Sequence, residues 1–130
     1  MAAPIPKWIL IADDNDGVRE LWTVVLTRAG YRVLAARNGR EALELMRDVV
    51  PDLIMLDLHM PEMDGPTFLE ALESAPVPRR MPVLIVSAFL DDESPRASLA
   101  LIVGRLSKPV RVPDLLDAVR TALEPAARRA

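Results

Sequence analysis

The chain has no cysteine among its 130 residues, which excludes disulfides and thiolate chemistry and fits a reducing, cytoplasmic setting. It has a single histidine, His59. One imidazole without companions makes a poor metal centre, so His59 reads as an exposed loop residue. Clustered positive charge is also missing. The net charge is −3, and basic residues adjoin only at Arg79-Arg80 and Arg128-Arg129, which argues against direct nucleic-acid binding. No apolar run approaches the length of a membrane span. Met1 to Lys7 lacks the charged-then-apolar order of a secretory signal. Lysine itself is scarce: of 16 basic residues, only Lys7 and Lys108 are not arginine. A compact ammonium acts as a point charge where a planar guanidinium would not fit the same role, so Lys108 stands out.

What the chain does have is a set of apolar runs ending on polar residues. Trp8-Ile9-Leu10-Ile11-Ala12 ends on Asp13-Asp14, and Leu53-Ile54-Met55-Leu56 ends on Asp57. Val83-Leu84-Ile85-Val86 ends on Ser87, and a weaker run from about Ile102 to Ser107 ends on Lys108-Pro109. Continuous hydrophobic runs of this length belong to strands buried on both faces, which occur in parallel sheets. Tyr31 to Ala36 reads as one further strand. Gly104 inside the last run either weakens that strand or marks a bulge.

Helical periodicity fills the intervals. Val18, Leu21, Trp22, Val25 and Leu26 share helical spacing, with Gly30 as the stop. Asn38 suits an N-cap for a helix carrying Ala42, Leu45, Met46 and Val49. Phe68, Leu69 and Leu72 mark a third helix. Val112, Leu115, Leu116, Val119 and Leu123 mark a last one, with Pro113 in its first turn. A short helix from about Pro95 to Leu101 is expected after Asp91-Asp92-Glu93-Ser94, and the proline-rich stretch from Pro76 to Pro82 is a loop. Alternating strands and helices imply an α/β fold, a parallel sheet with right-handed crossovers and helices on both faces. The length suits one domain over residues 1–130, with a core at about 7–123 and residues 124–130 as a tail or the start of a linker. In open parallel sheets, ligands bind outside the carboxyl ends of the strands. Asp13, Asp14, Asp57, Ser87 and Lys108 all fall there, so they are expected to form one site.

These elements, Asp13-Asp14, Asp57 with Met60-Pro61-Glu62-Met63-Asp64-Gly65, Ser87-Ala88 and Lys108-Pro109, follow one another at intervals of 44, 30 and 21 residues. In that order the chain resembles the receiver domain of two-component response regulators, over essentially Lys7 to Leu123. The resemblance implies a doubly wound, flavodoxin-like five-stranded parallel sheet of order 2-1-3-4-5. It implies a bacterial, cytoplasmic switch that takes a phosphoryl group onto Asp57 from a histidine kinase or a histidine phosphotransfer protein and changes affinity for a downstream partner. No multiple turnover is expected. Three carboxylates offset by Lys108 leave roughly two negative charges in the pocket, so a hard divalent cation, Mg2+ or Mn2+, is required. By resemblance Asp14 and Asp57 ligate it directly, the His59 backbone carbonyl adds a ligand, and Asp13 acts through water. Ser87 and Lys108 bind phosphoryl oxygens, and the Lys108-Pro109 bond is cis.

Each residue also has a plain structural reading. Asp13 and Asp14 would cap the first helix, Asp57 and Ser87 would be turn residues, and Lys108 would be solvated. Two departures from the family stand out. Arg105 holds the position where most receivers carry the Tyr or Phe that turns inward on switching, and Gly104 precedes it where dimerising receivers often carry an acid. A guanidinium cannot enter an apolar slot without a partner, so Arg105 is expected to point outward, near Asp91, Asp92 and Glu93 or against a partner. The alternatives are a docking module that has lost switching, or a magnesium-dependent phosphohydrolase, to which Asp13-Asp14-Asn15-Asp16 offers only an imperfect match. Flavin binding fits poorly, because the acidic first loop repels a phosphate.

Overall fold

The computed structural model describes residues 5–74, 81–88 and 102–124. Five parallel strands form one sheet: β1 (Trp8–Ala12), β2 (Arg32–Ala36), β3 (Leu53–Leu56), β4 (Val83–Ser87) and β5 (Ile102–Ser107). Their spatial order is β2-β1-β3-β4-β5, the doubly wound, flavodoxin-like arrangement expected from the sequence. The described helices are α1 (Asp16–Arg28), α2 (Gly39–Leu45), α3 (Gly65–Ser74) and α4 (Val112–Ala122). The expected helix near Pro95 to Leu101 lies outside the described residues.

Alternation along the strands divides the core in two. Leu10, Ile54 and Leu56 pack with Ala42, Phe68, Leu69 and Leu72 of α2 and α3. Ile9, Ile11, Leu53 and Met55 pack with Trp22 and Leu26 of α1 and with Leu115 and Val119 of α4. All four residues of β3 and all five of β4 are buried, as their unbroken apolar runs require. The β4–β5 register passes from Val83↔Ile102 to Leu84↔Gly104, so Val103 is the extra residue of a bulge beside Gly104.

Helix termini follow their local chemistry. Asn15 caps α1 by accepting from the Val18 N–H, and Asn38 caps α2 by accepting from the Glu41 N–H. Past the end of α1, Gly30 adopts φ 100°, the left-handed stop that glycine permits. Two expectations need correction. Leu21 points outward and is 49 % exposed, because the buried stripe of α1 runs through Trp22 and Leu26 and a neighbouring position is turned about 100° away. Helix α2 also ends at Leu45, with Met46 as its cap, so Val49 follows the helix rather than lining it.

Candidate functional site

The carboxyl ends of β1, β3, β4 and β5 converge on one polar cluster. The Asp57 N–H donates to the Ala12 carbonyl at 2.9 Å, and the Lys108 N–H donates to the Ser87 carbonyl at 2.9 Å. Backbone pairing thus continues one residue past β3 and β5 and fixes Asp57 and Lys108. Oxygens of Asp13, Asp14 and Asp57 all lie within 4.8 Å of one another. Asp13 and Asp57 are buried at 3 % and 7 % exposure, and Ser87 is fully buried. Asp14 is exposed.

The plain structural readings of Asp13, Asp14, Ser87 and Lys108 fail on this geometry, while Asp57 does make the local bond of a turn aspartate, accepting from the N–H two residues on. The cap of α1 is Asn15 rather than Asp13 or Asp14. Asp13 instead accepts the Asn15 N–H on Oδ1 at 2.9 Å and the Lys108 ammonium on Oδ2 at 2.5 Å. Ser87 ends a buried strand, and its hydroxyl donates to Asp57 Oδ1 at 3.1 Å. Lys108 is not a solvated side chain: it is 19 % exposed and its ammonium also reaches Asp57 Oδ2 at 3.5 Å. The Lys108-Pro109 bond is cis. His59 is exposed, and its backbone N–H donates to Asp57 Oδ1 at 3.2 Å. Arg105 is also exposed, on β5 three residues before Lys108, and is not among the groups meeting Asp57. The acids expected beside it, Asp91, Asp92 and Glu93, lie outside the described residues.

Burial pushes the Asp57 carboxyl above the usual carboxylate range. The His59 N–H, the Lys108 charge and the Ser87 hydroxyl pull it down, while the Asp13 charge adds to the rise. Burial alone would lower the Lys108 pKa, but the hydrogen bond to Asp13 and the charges of Asp13 and Asp57 outweigh it and hold the amine above its ordinary value. Beneath the acids Trp22, Met55 and Val86 line a gap too small for water, and the Trp22 indole Nε1 has no hydrogen-bond partner among the described residues. A low-dielectric floor of this kind is what makes the Asp57 charge costly.

One residue at the site is not marked by the sequence pattern. Arg19 donates to the Asp13 carbonyl at 2.9 Å and to the Asp16 carboxylate at 2.5 Å, bracing the loop between β1 and α1. Its spacing from Asp16 suggests only a surface helical pair, and nothing in it points to the Asp13 backbone.

The donor set suits a hard cation. Carboxylate oxygens from three residues, with no sulfur and no imidazole nitrogen among them, match the preference of magnesium or manganese. The response regulator receiver domain family matches residues 9–120. The polar-differentiation response regulator DivK of Brucella anthropi is 32 % identical over 120 residues, covering 92 % of this chain and 98 % of that protein. Among solved structures, the chemotaxis response regulator CheY4 of Vibrio cholerae superposes with a TM-score of 0.82 at 29 % identity, covering 92 % of this chain and all of that one. A CheY-like receiver domain protein from Methanospirillum hungatei gives 0.85 at 26 % identity over 97 % of this chain and all of the other. The chain belongs to the response regulator receiver domains.

Proposed function

We propose that this chain is a phospho-accepting signalling switch in which Asp57 receives a phosphoryl group from the phosphorylated imidazole of a histidine kinase or histidine phosphotransfer protein. The observation that carries this reading is the set of groups around Asp57: one carboxylate buried among a hydroxyl, a backbone N–H, an ammonium and two further acids. A carboxylate oxygen of Asp57 attacks phosphorus, the P–N bond breaks, and its electron pair leaves with the donor imidazole, which takes up a proton. The product is an aspartyl phosphate. The Lys108 ammonium and the Ser87 hydroxyl, both already directed at Asp57, are placed to meet phosphoryl oxygens as charge shifts onto them.

Asp14 and Asp57 would hold Mg2+ or Mn2+ together with the His59 carbonyl, with Asp13 acting through water, and the ion would supply positive charge that lets a polyanion approach three acids. Asp13 orients Lys108, and Arg19 keeps the Asp13 backbone in place. The run Asp13-Asp14-Asn15-Asp16 matches a phosphohydrolase pattern only imperfectly, which favours a switch over a multiple-turnover phosphohydrolase. We assign the unit to about residues 7–123, acting in the cytoplasm, with the phosphorylated form differing in affinity for a downstream protein. Among the described residues no helix is long and apolar enough to cross a membrane.

The test is phosphotransfer from a small acyl phosphate followed by intact mass. A gain of one phosphoryl group is expected with magnesium, none in chelator, and none for Asp57→Asn. Asp14→Ala should abolish saturable magnesium binding. Labelling of Asp57→Asn equal to that of the native chain would overturn the assignment.

A further inference from the structure

The loop between β3 and α3 is held from outside the acidic cluster by the start of α2. Glu62 in this loop sits at φ 64°, the left-handed region that side-chain-bearing residues avoid. Its carboxylate accepts a hydrogen bond from Asn38 Nδ2 at 3.1 Å, while Asn38 Oδ1 accepts from the Glu41 N–H at 2.9 Å. Asn38 therefore does two things at once, capping α2 and gripping Glu62. One residue on, the Gly39 N–H donates to the Met63 carbonyl at 2.9 Å. A Cβ at Gly39 would come within 2.9 Å of that carbonyl oxygen and 2.8 Å of Met63 Cγ, so the helix start lies directly against the loop backbone. The loop's far end is anchored too, because a Cβ at Gly65 would approach the Asp57 carbonyl oxygen within 2.8 Å.

His59 lies between the Asp57-Leu58 backbone that Gly65 abuts and the anchored Glu62, with its N–H on Asp57 Oδ1. Glu62 is exposed, so core packing does not require a glutamate there. A residue kept in a disfavoured conformation by a specific partner, next to a reactive centre, is the pattern of a preorganised site. We propose that Asn38 and Glu62 are positioning residues: their hydrogen bond holds the loop so that His59 keeps its N–H on Asp57 and its carbonyl toward the metal. This rests on the metal reading above.

The test measures magnesium affinity by calorimetry, alongside thermal unfolding and the His59 amide shift, for native chain, Asn38→Asp, Glu62→Gln and the double variant. Asn38→Asp keeps an oxygen to cap Glu41 but sets two carboxylates against each other. It should weaken magnesium binding about two- to fivefold, the worth of one exposed hydrogen bond, although added negative charge by itself attracts a cation. The double variant exchanges carboxylate and amide, restores a donor–acceptor pair and keeps the native net charge. It should recover the native affinity and His59 shift. Glu62→Gln leaves an acceptor for Asn38 and should stay near native. Melting temperatures should scarcely move, since the cap survives throughout. Unchanged or tighter binding in Asn38→Asp, or no recovery in the double variant, overturns the inference. A native chain that binds no magnesium overturns the metal reading and this inference with it.

Discussion

Replacing Lys108 with methionine should separate charge neutralisation from packing at the site. The aliphatic stem is kept, while the ammonium that touches Asp13 at 2.5 Å and Asp57 at 3.5 Å is lost. Both carboxylates are more than nine-tenths buried. Removing one partner of a fully buried ion pair typically costs about 3–5 kcal/mol. Lys108 is 19 % exposed and Asp14 opens to solvent, so water screens part of the loss, and about 2 kcal/mol is expected. For a domain of this size that lowers the melting temperature by roughly 6–10 °C in chelator. Magnesium should then stabilise Lys108→Met more than native chain, because a cation binding the bare acids no longer competes with an ammonium. A tenfold tighter site would add about 1.4 kcal/mol at saturating metal. The raised amine pKa sets the pH window: the Lys108 contribution is fully present below its ordinary value of 10.5 and is lost as pH rises through the raised one. The assay is thermal unfolding at neutral pH across a magnesium titration. Equal melting temperatures in chelator, or a smaller magnesium effect in the variant, would refute the view that Lys108 neutralises Asp13 and Asp57.

Gly65→Ala places a Cβ 2.7 Å from Leu58 Cα and 2.8 Å from the Asp57 carbonyl oxygen, both backbone-linked atoms that cannot swing away. Overpacking of about 1–3 kcal/mol should exceed the gain of at most about 1 kcal/mol from better helix propensity, so denaturant unfolding should show a net loss. In chelator, Asp57→Asn should be more stable than native chain at neutral pH. The raised carboxyl pKa means that native stability falls as pH rises from 3.8 through the raised value. The gain should vanish below the ordinary carboxylate range, and a pH-independent difference would contradict it.

Most of the fold is legible because burial on both faces leaves a plain trace. β1 and β4 are near-unbroken hydrophobic runs, and each ends where the apolar run ends, within one residue. The site is legible for the same reason: side chains at adjacent strand ends, or one residue past them, must converge, so topology alone gathers Asp13, Asp57, Ser87 and Lys108. What stays hidden is held by groups whose partners are remote in sequence. Asn38 reads as a cap and is one, but its second bond crosses 24 residues to Glu62. Arg19 reads as a surface partner of Asp16, yet its other hydrogen bond is to the Asp13 carbonyl. Periodicity also misassigns Leu21, since a helical stripe wide enough to include it exceeds the face that the sheet covers.

Arg105 raises a different question, how a change at Asp57 leaves the site when no aromatic ring stands three residues before Lys108. The strand ladder offers a route. Ser87 pairs in register with Ser107, Ile85 with Arg105, and the Lys108 N–H is bonded to the Ser87 carbonyl at 2.9 Å. On the proposed reading, a shift of Ser87 toward a phosphoryl group would pull directly on the backbone that carries Lys108 and, through it, on β5. The bulge at Val103 interrupts that ladder near its start, so the displacement should fade toward Ile102. With beryllofluoride as the phosphoryl mimic, amide shifts should be largest at Ser87, Ser107 and Lys108 and smaller at Val103. Arg105→Ala should leave this gradient intact, because the guanidinium is exposed and the coupling runs through the backbone. A variant that loses the Ser107 and Lys108 shifts while still binding the mimic would mean that the Arg105 side chain itself carries the signal.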